Sequence, residues 1–264
     1  MNRRTQERLH GKIAVITGGS SGLGAEMARQ LAAAGAIPVL LGRSEEKLRG
    51  VAAGIAGECA YNTLDVTNPD QVAEVFGRLY ERYGRIDILI NNAGYGVFAT
   101  FAETPVERFA EMMDVNYMGI VRCTKMVLPR MLEARGGHIV NIASLAGKVA
   151  TAKSTAYAAT KHAVLGLTNS LRQELVGTGV AITAVNPGPI DTPFFDKADP
   201  GGQYVSSVKW MMLTTRRVAS AVLIAIVRRK AEVNLPHIAQ VGAVLYTLFP
   251  RLADKLAYRL INKK

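Results

Sequence analysis

The chain has 264 residues, 49% of them hydrophobic and 20% charged, which suits one large α/β domain with a sizeable core and excludes general disorder. The net charge of +11 is unevenly placed: residues 207–264 hold eleven Lys/Arg against two acids, residues 1–12 hold four against one, and the stretch between sums to −1. No nucleic-acid-binding motif accompanies this basicity, and two cysteines without metal-ligand spacing (Cys59 and Cys123) exclude a disulfide framework and a cysteine metal site, the pattern of a reduced, cytoplasmic protein.

The opening MNRRTQERLH is basic but leads into no apolar run, so it does not read as a secretory signal. Short apolar runs predict buried strands over 12–17, 37–41, 60–64, 86–90, 137–142 and 180–185. Longer stretches at helical spacing lie between them, over 24–33, 44–53, 70–83, 105–131 and 155–175. Strands alternating with helices, apolar on both faces, predict an α/β doubly wound parallel sheet, a Rossmann fold, with ligands at the carboxyl ends of its strands. The polar segment 196–203 (DKADPGGQ) reads as a loop. The expected organisation is a Rossmann-type domain over 8–235 and a basic amphipathic helical tail over 236–264.

The first strand runs into Thr17-Gly18-Gly19-Ser20-Ser21-Gly22-Leu23-Gly24. Glycines at such a turn let the backbone approach a pyrophosphate, and the following helix offers unpaired N–H groups and a partial positive charge. The alternative is an ordinary tight turn between strand and helix. Arg43 and Ser44 follow the second strand, where an acid would favour a free ribose 2′-hydroxyl and an arginine a 2′-phosphate. They point to NADP(H), unless Arg43 is a solvated residue and Ser44 merely caps the next helix. Asp65 and Val66 end the third strand, where the carboxylate either meets an adenine amino group or caps a turn. Asn91-Asn92-Ala93-Gly94 ends the fourth, with small residues and amides suited to packing beside a cofactor.

Tyr157 and Lys161 stand four apart on a predicted helix and share a face. An ammonium beside a phenol lowers its pKa from near 10 towards a useful range for proton transfer. Ser144 follows the fifth strand, where a hydroxyl could hold a substrate oxygen. Asn116 sits mildly unfavourably inside a helix, which suggests a task such as holding water.

Thr17-Gly18-x3-Gly22-x-Gly24, Asn91-Asn92-Ala93-Gly94, Asn116, Ser144, Tyr157-x3-Lys161 and Pro187-Gly188, in this order and spacing, closely resemble the short-chain dehydrogenase/reductase family over about residues 8 to 195. The resemblance implies a nicotinamide-dependent oxidoreductase exchanging hydride with an alcohol/carbonyl pair. It implies Tyr157 as general acid/base, Lys161 on the nicotinamide ribose, Ser144 polarising the reacting oxygen and Asn116 holding a water in a proton relay. Gly18, Ser20, Ser21, Gly22, Leu23 and Gly24 would form the pyrophosphate turn, with Arg43, Ser44, Asp65, Val66, Asn92, Ala93 and Gly94 along the adenosine side. Pro187, Gly188, Ile190 and Thr192 would embrace the nicotinamide. It further implies a homo-oligomer built through the helices over 105–132 and 155–175. The alternatives are an NAD-dependent alcohol dehydrogenase of the same family, and a non-catalytic NADPH-binding regulator.

The resemblance implies that 8–235 is the catalytic domain, with a substrate lid at about 193–215. Substrate contacts are expected from Ser144, Leu145, Tyr95, Phe194 and Trp210, and the apolar and aromatic character of the last four suggests an apolar carbonyl or alcohol, or else a lid packed on its own core. In the tail, Ile238, Val241, Leu245 and Leu248 recur at helical spacing, and Leu252, Leu256 and Leu260 alternate with Arg251, Lys255 and Arg259. Such a pattern can rest on an anionic membrane surface, dock on its own body or form an oligomer contact.

Overall fold

The structure, a computed structural model, describes residues 3–249 and Arg251. A helix α1 (Arg3–Leu9) precedes an alternation of strands and helices: β1 (Ile13–Thr17), α2 (Gly22–Ala33), β2 (Ile37–Gly42), α3 (Glu45–Ala53), β3 (Ala60–Thr63), α4 (Pro69–Tyr83) and β4 (Ile88–Asn91). The second half runs α5 (Val106–Met113), a π turn (Asp114–Met118), α6 (Gly119–Glu133), β5 (Gly137–Ile142), α7 (Thr155–Glu174) and β6 (Val180–Pro187). It ends with α8 (Phe194–Ala198), α9 (Gln203–Val208), α10 (Thr215–Arg228), β7 (Glu232–Leu235) and α11 (Ala239–Leu248).

The strands form one parallel seven-stranded sheet in the order β3-β2-β1-β4-β5-β6-β7. Successive side chains of a strand point to opposite faces. In β1, Ala14 and Ile16 enter the layer built with α2 and α10, whereas Ile13 and Val15 enter the layer built with α4 and α6. Both faces are therefore buried, which is why the strands read as continuous apolar runs. The chain reverses its winding between β1 and β4, so the loops leaving these two strands diverge and open a crevice at their carboxyl ends.

Three expectations need correction. The predicted helix over 105–131 is continuous but contains the π turn, whose extra residue shifts Asn116 inwards. The predicted loop over 196–203 holds only in part: α8 runs through Ala198 and α9 begins at Gln203, leaving a link at 199–202, and Phe194, Ala198 and Val208 have a partner surface to pack on. A seventh strand was not expected; β7 is short, and its buried Asn234 accepts from Asn186 Nδ2 at 3.0 Å across the β6–β7 pair. Within the tail, α11 is described; the expectation for Leu252, Leu256 and Leu260 lies outside the described residues.

One buried titratable group lies in the sheet away from the crevice. His138 of β5 shares a 2.7 Å hydrogen bond with Thr183 Oγ1 of β6. Thr183 donates its single hydroxyl proton to the Lys230 carbonyl, so His138 Nε2 is the donor in this pair. Burial, with the Arg229 guanidinium second, pushes the imidazole down to about 4. The unfolded chain takes up this proton near pH 6.5, the folded chain only near 4, so stability falls as pH drops through that window. Melting curves from pH 7 to pH 4 should show a steeper loss for the wild-type protein than for His138→Gln; parallel curves would remove His138 as a source of acid sensitivity.

Candidate active site

One cleft of about 1860 Å³ runs along the carboxyl edge of the sheet. Its first half is organised around the end of β1. Gly18 has φ +66°, and a Cβ there would lie 2.9 Å from Asn92 Nδ2, so this position is confined to glycine. Asn92 Nδ2 donates to the carbonyls of Thr17 and Gly18 at 3.0 and 3.1 Å, and Thr17 Oγ1 accepts the N–H groups of Asn92 and Ala93, each at 3.0 Å. Behind this knot α2 begins at Gly22, and Ser20, Ser21, Gly22 and Leu23 line the cleft. Ser21, at the cap position, makes no side-chain cap bond, so a twelve-residue helix presents its amino-terminal N–H groups and partial positive charge to the cleft. That is the donor set a pyrophosphate requires.

Gly24 does not reach the cleft. It lies under the turn, where a Cβ would run into the Gly18 carbonyl oxygen, and its role is to let α2 approach the turn. Arg43, Ser44 and Lys47 line the rim beyond β2, with Arg43 exposed. Ser44 Oγ accepts from Lys47 N at 3.4 Å, so Ser44 caps α3 while also lining the cleft. Asp65 and Val66 line the wall after β3. One carboxylate oxygen of Asp65 accepts the N–H and hydroxyl of Thr67 at 2.9 and 2.7 Å, which makes Asp65 a turn cap with a fixed orientation. Ala93, Gly94, Pro187, Gly188, Ile190 and Thr192 line the floor between the halves.

In the second half, Ser144 follows β5; its Oγ accepts from Ala146 N at 3.1 Å and donates to the Pro187 carbonyl at 3.4 Å. Tyr157 and Lys161 line the same cleft from one turn of α7. Lys161 Nζ lies 5.6 Å from the centre of the Tyr157 ring and donates to the Ile142 carbonyl at 2.9 Å. Burial drives the Tyr157 phenol well above its ordinary range; a hydrogen bond with Ser144 opposes this and Tyr204 adds to it. The expected lowering by Lys161 is not the balance found, because the ammonium is turned to Ile142 and the same burial draws Lys161 down to about 8. Burial thus favours the neutral, protonated phenol.

Asn116 is fully buried and lies outside the cleft lining. Its Oδ1 accepts from Tyr95 N at 3.0 Å, and its Nδ2 donates to the Tyr95 carbonyl at 2.8 Å and to Thr160 Oγ1 at 3.1 Å. This amide clamps the loop after β4 onto α7, so a water at Asn116 would need the main-chain carbonyl. Leu145, Tyr95 and Phe194 line the substrate end, but Trp210 is 85% exposed and forms its rim rather than a wall. The wall is completed by Phe98, which sequence reasoning missed; its ring centre lies 5.9 Å from Tyr157 and 4.6 Å from Tyr204. Lys47, one turn after Arg43, and the α11 residues Gly242, Ala243, Leu245 and Tyr246 were missed as well. The only signal for Lys47 was a second cation just past the capped start of α3.

Residues 12–201 match the family model described as short chain dehydrogenase. The chain belongs to the short-chain dehydrogenase family. An uncharacterized oxidoreductase of Staphylococcus saprophyticus is 42% identical over 199 residues, which cover 74% of this chain and 85% of that protein. A short-chain dehydrogenase from Streptomyces avermitilis superposes with TM-score 0.82 at 27% identity, covering 96% of this chain and 98% of that one. The closed form of a serine dehydrogenase complexed with NADP+ superposes with TM-score 0.79 at 30% identity, covering 84% of this chain and 94% of that one. The protein is thus a short-chain dehydrogenase-type oxidoreductase with a Rossmann fold that uses a nicotinamide cofactor.

The close approach at Gly24 of this short-chain dehydrogenase is open to a direct test. Gly24→Ala should lower the unfolding free energy by about 1–3 kcal/mol in denaturant titration, the usual cost of overpacking. Gly77→Ala on α4, with nothing within 4 Å of the added Cβ, should be neutral or stabilising. Equal effects at the two positions would contradict the steric account.

Proposed function

We propose that the protein is an NADP(H)-dependent oxidoreductase that reduces the carbonyl of a small apolar substrate, or oxidises the matching alcohol. The observation that carries this reading is the convergence of the Tyr157 phenol, the Ser144 hydroxyl and the Lys161 ammonium on one cleft that also receives the amino terminus of α2. The dinucleotide fits the donors along the first half: the N–H groups from Ser20 to Leu23 for the pyrophosphate, and Arg43, with Lys47 and Ser44 beside it, for a 2′-phosphate. Bound there, the nicotinamide supplies or takes up the hydride.

Ser144 holds the substrate oxygen by hydrogen bonding. Tyr157 donates its proton to that oxygen as negative charge develops on it, and takes a proton back in the reverse direction. Lys161, positive below about pH 8, supports the ribose side of the site and offsets charge beside the phenol. Phe98, Phe194 and Tyr204 keep water from the reacting carbon, and their apolar rings favour a hydrophobic carbonyl over a charged one. The catalytic domain spans about 8–235 with the tail as an extension. The exposed Val106, Met118 and Leu132 support a homo-oligomer through the helices over 105–132.

A screen of apolar aldehydes and ketones, followed by NADPH consumption, identifies the substrate. Tyr157→Phe should then lose turnover by about 10²–10⁴-fold while NADPH binding persists; undiminished turnover would end the acid assignment. Arg43→Asp should weaken NADPH binding by roughly 10–100-fold, the worth of a charge-assisted bond, and spare NADH. A wild-type enzyme preferring NADH would overturn the coenzyme reading.

A further inference from the structure

The cleft opens beside a surface that the proposed reaction does not use. Helix α11 carries no charged residue, and it meets the body through the buried Ala243 and the half-buried Tyr246. Its outer side presents Val241, Val244 and Leu248 to solvent, with Ile238 78% exposed just before it. Leu245 is both exposed and part of the cleft lining, and so is Trp210 on the short turn Lys209–Met211. Two separate elements thus give the mouth of one cleft an apolar, water-facing rim, which scattered surface leucines would not do.

We propose that this rim docks on an anionic membrane surface, with the cleft mouth turned towards the lipid. Charge favours this occupant: residues 237–264 hold Arg251, Lys255, Arg259, Lys263 and Lys264 against the single acid Asp254. Two copies of a chain with net charge +11 repel each other, which opposes pairing. An anionic bilayer offers the opposite sign to the same segment and an apolar layer to Val241, Val244 and Leu248. Tryptophan is enriched at this depth, where an apolar ring and an N–H donor are both satisfied. No helix among the described residues is long and apolar enough to cross a membrane, so the contact is with the surface. The proposal does not depend on the reaction assigned above.

Trp210 is the single tryptophan of the chain, so its emission reports on the rim alone. Mixing the full-length protein with vesicles of phosphatidylcholine and phosphatidylglycerol should shift that emission to the blue and sediment the protein. Partition should exceed that for pure phosphatidylcholine by about tenfold or more and weaken with salt. The double variant Val244→Asp, Leu248→Asp should lose at least about tenfold of the vesicle binding with its thermal melt unchanged. Unshifted emission, equal binding to both vesicle types, or full binding by the double variant would overturn the proposal. An oligomer that the double variant splits, without vesicle binding by the parent, would make a second copy the occupant. Binding that appears only after removal of residues 252–264 would make the chain's own tail the cover.

Discussion

The site depends on what happens where β1 and β4 part company. Up to Ile16 and Ile90 the two strands pair in parallel register and satisfy each other's backbone. One residue further their loops leave for opposite faces of the sheet, and polar main-chain groups that a ladder would have paired are stranded in a buried place. Thr17 and Asn92 resolve this. The threonine hydroxyl oxygen takes two N–H groups of the β4 exit, and the asparagine amide returns to two carbonyls of the β1 exit. Because both partners are fixed, the Gly-rich turn is held at a set distance from the floor of the cleft, and α2 is aimed into it. Removing either side chain would leave buried groups unpaired, which costs more than the bonds themselves contribute.

The second constraint is dryness. Tyr157 and Lys161 share a pocket walled by Phe98 and Phe194, and burial moves their proton affinities in opposite directions: the phenol holds its proton more firmly, the ammonium less. Each shift favours the neutral form, as expected where water is scarce. The same walls that raise the phenol's pKa strengthen any hydrogen bond it makes to a developing oxyanion, because a low dielectric magnifies both effects. The high proton affinity of Tyr157 is therefore a consequence of its burial behind the aromatic wall.

Much of this was legible in the chain because the relevant physics is local. Parallel strands covered on both faces are rich in apolar residues, so six of seven announced themselves, even though β3 (Ala60–Thr63) is only partly buried. Glycines at 18, 22 and 24, and a tyrosine four residues before a lysine, are spacings that a turn and a helix convert directly into shared location. What stayed hidden depends on partners far away in sequence. The strand at 232–235 contains a glutamate and an asparagine, which Asn186, Lys148 and Gln240 satisfy from other parts of the chain. The segment 196–203 has the composition of a loop, and 199–202 is one, but Phe194 and Phe195 just before it pack on Phe98, whose main chain donates to the Ala198 carbonyl at 2.9 Å, so the first part is helical. The expectation for Asn116 was a held water; what distance in sequence hid is that the π turn buries its amide between Tyr95 and Thr160.

The two halves of the cleft therefore answer to different constraints. The dinucleotide half is made of main-chain groups and short side chains, whose positions follow from the sheet and leave little room for variation. The substrate half is made of large side chains on α8, α9 and the loop after β4, joined to one another more than to the sheet. Such a cluster can be exchanged residue by residue without disturbing the strands, because ring–ring contacts are tolerant of moderate shifts. Two of its boundaries, Trp210 and Leu245, already belong as much to the outer surface as to the cleft. The cleft is thus most firmly fixed where main-chain groups of the sheet build it and least fixed at Trp210 and Leu245, which face both the cleft and the solvent.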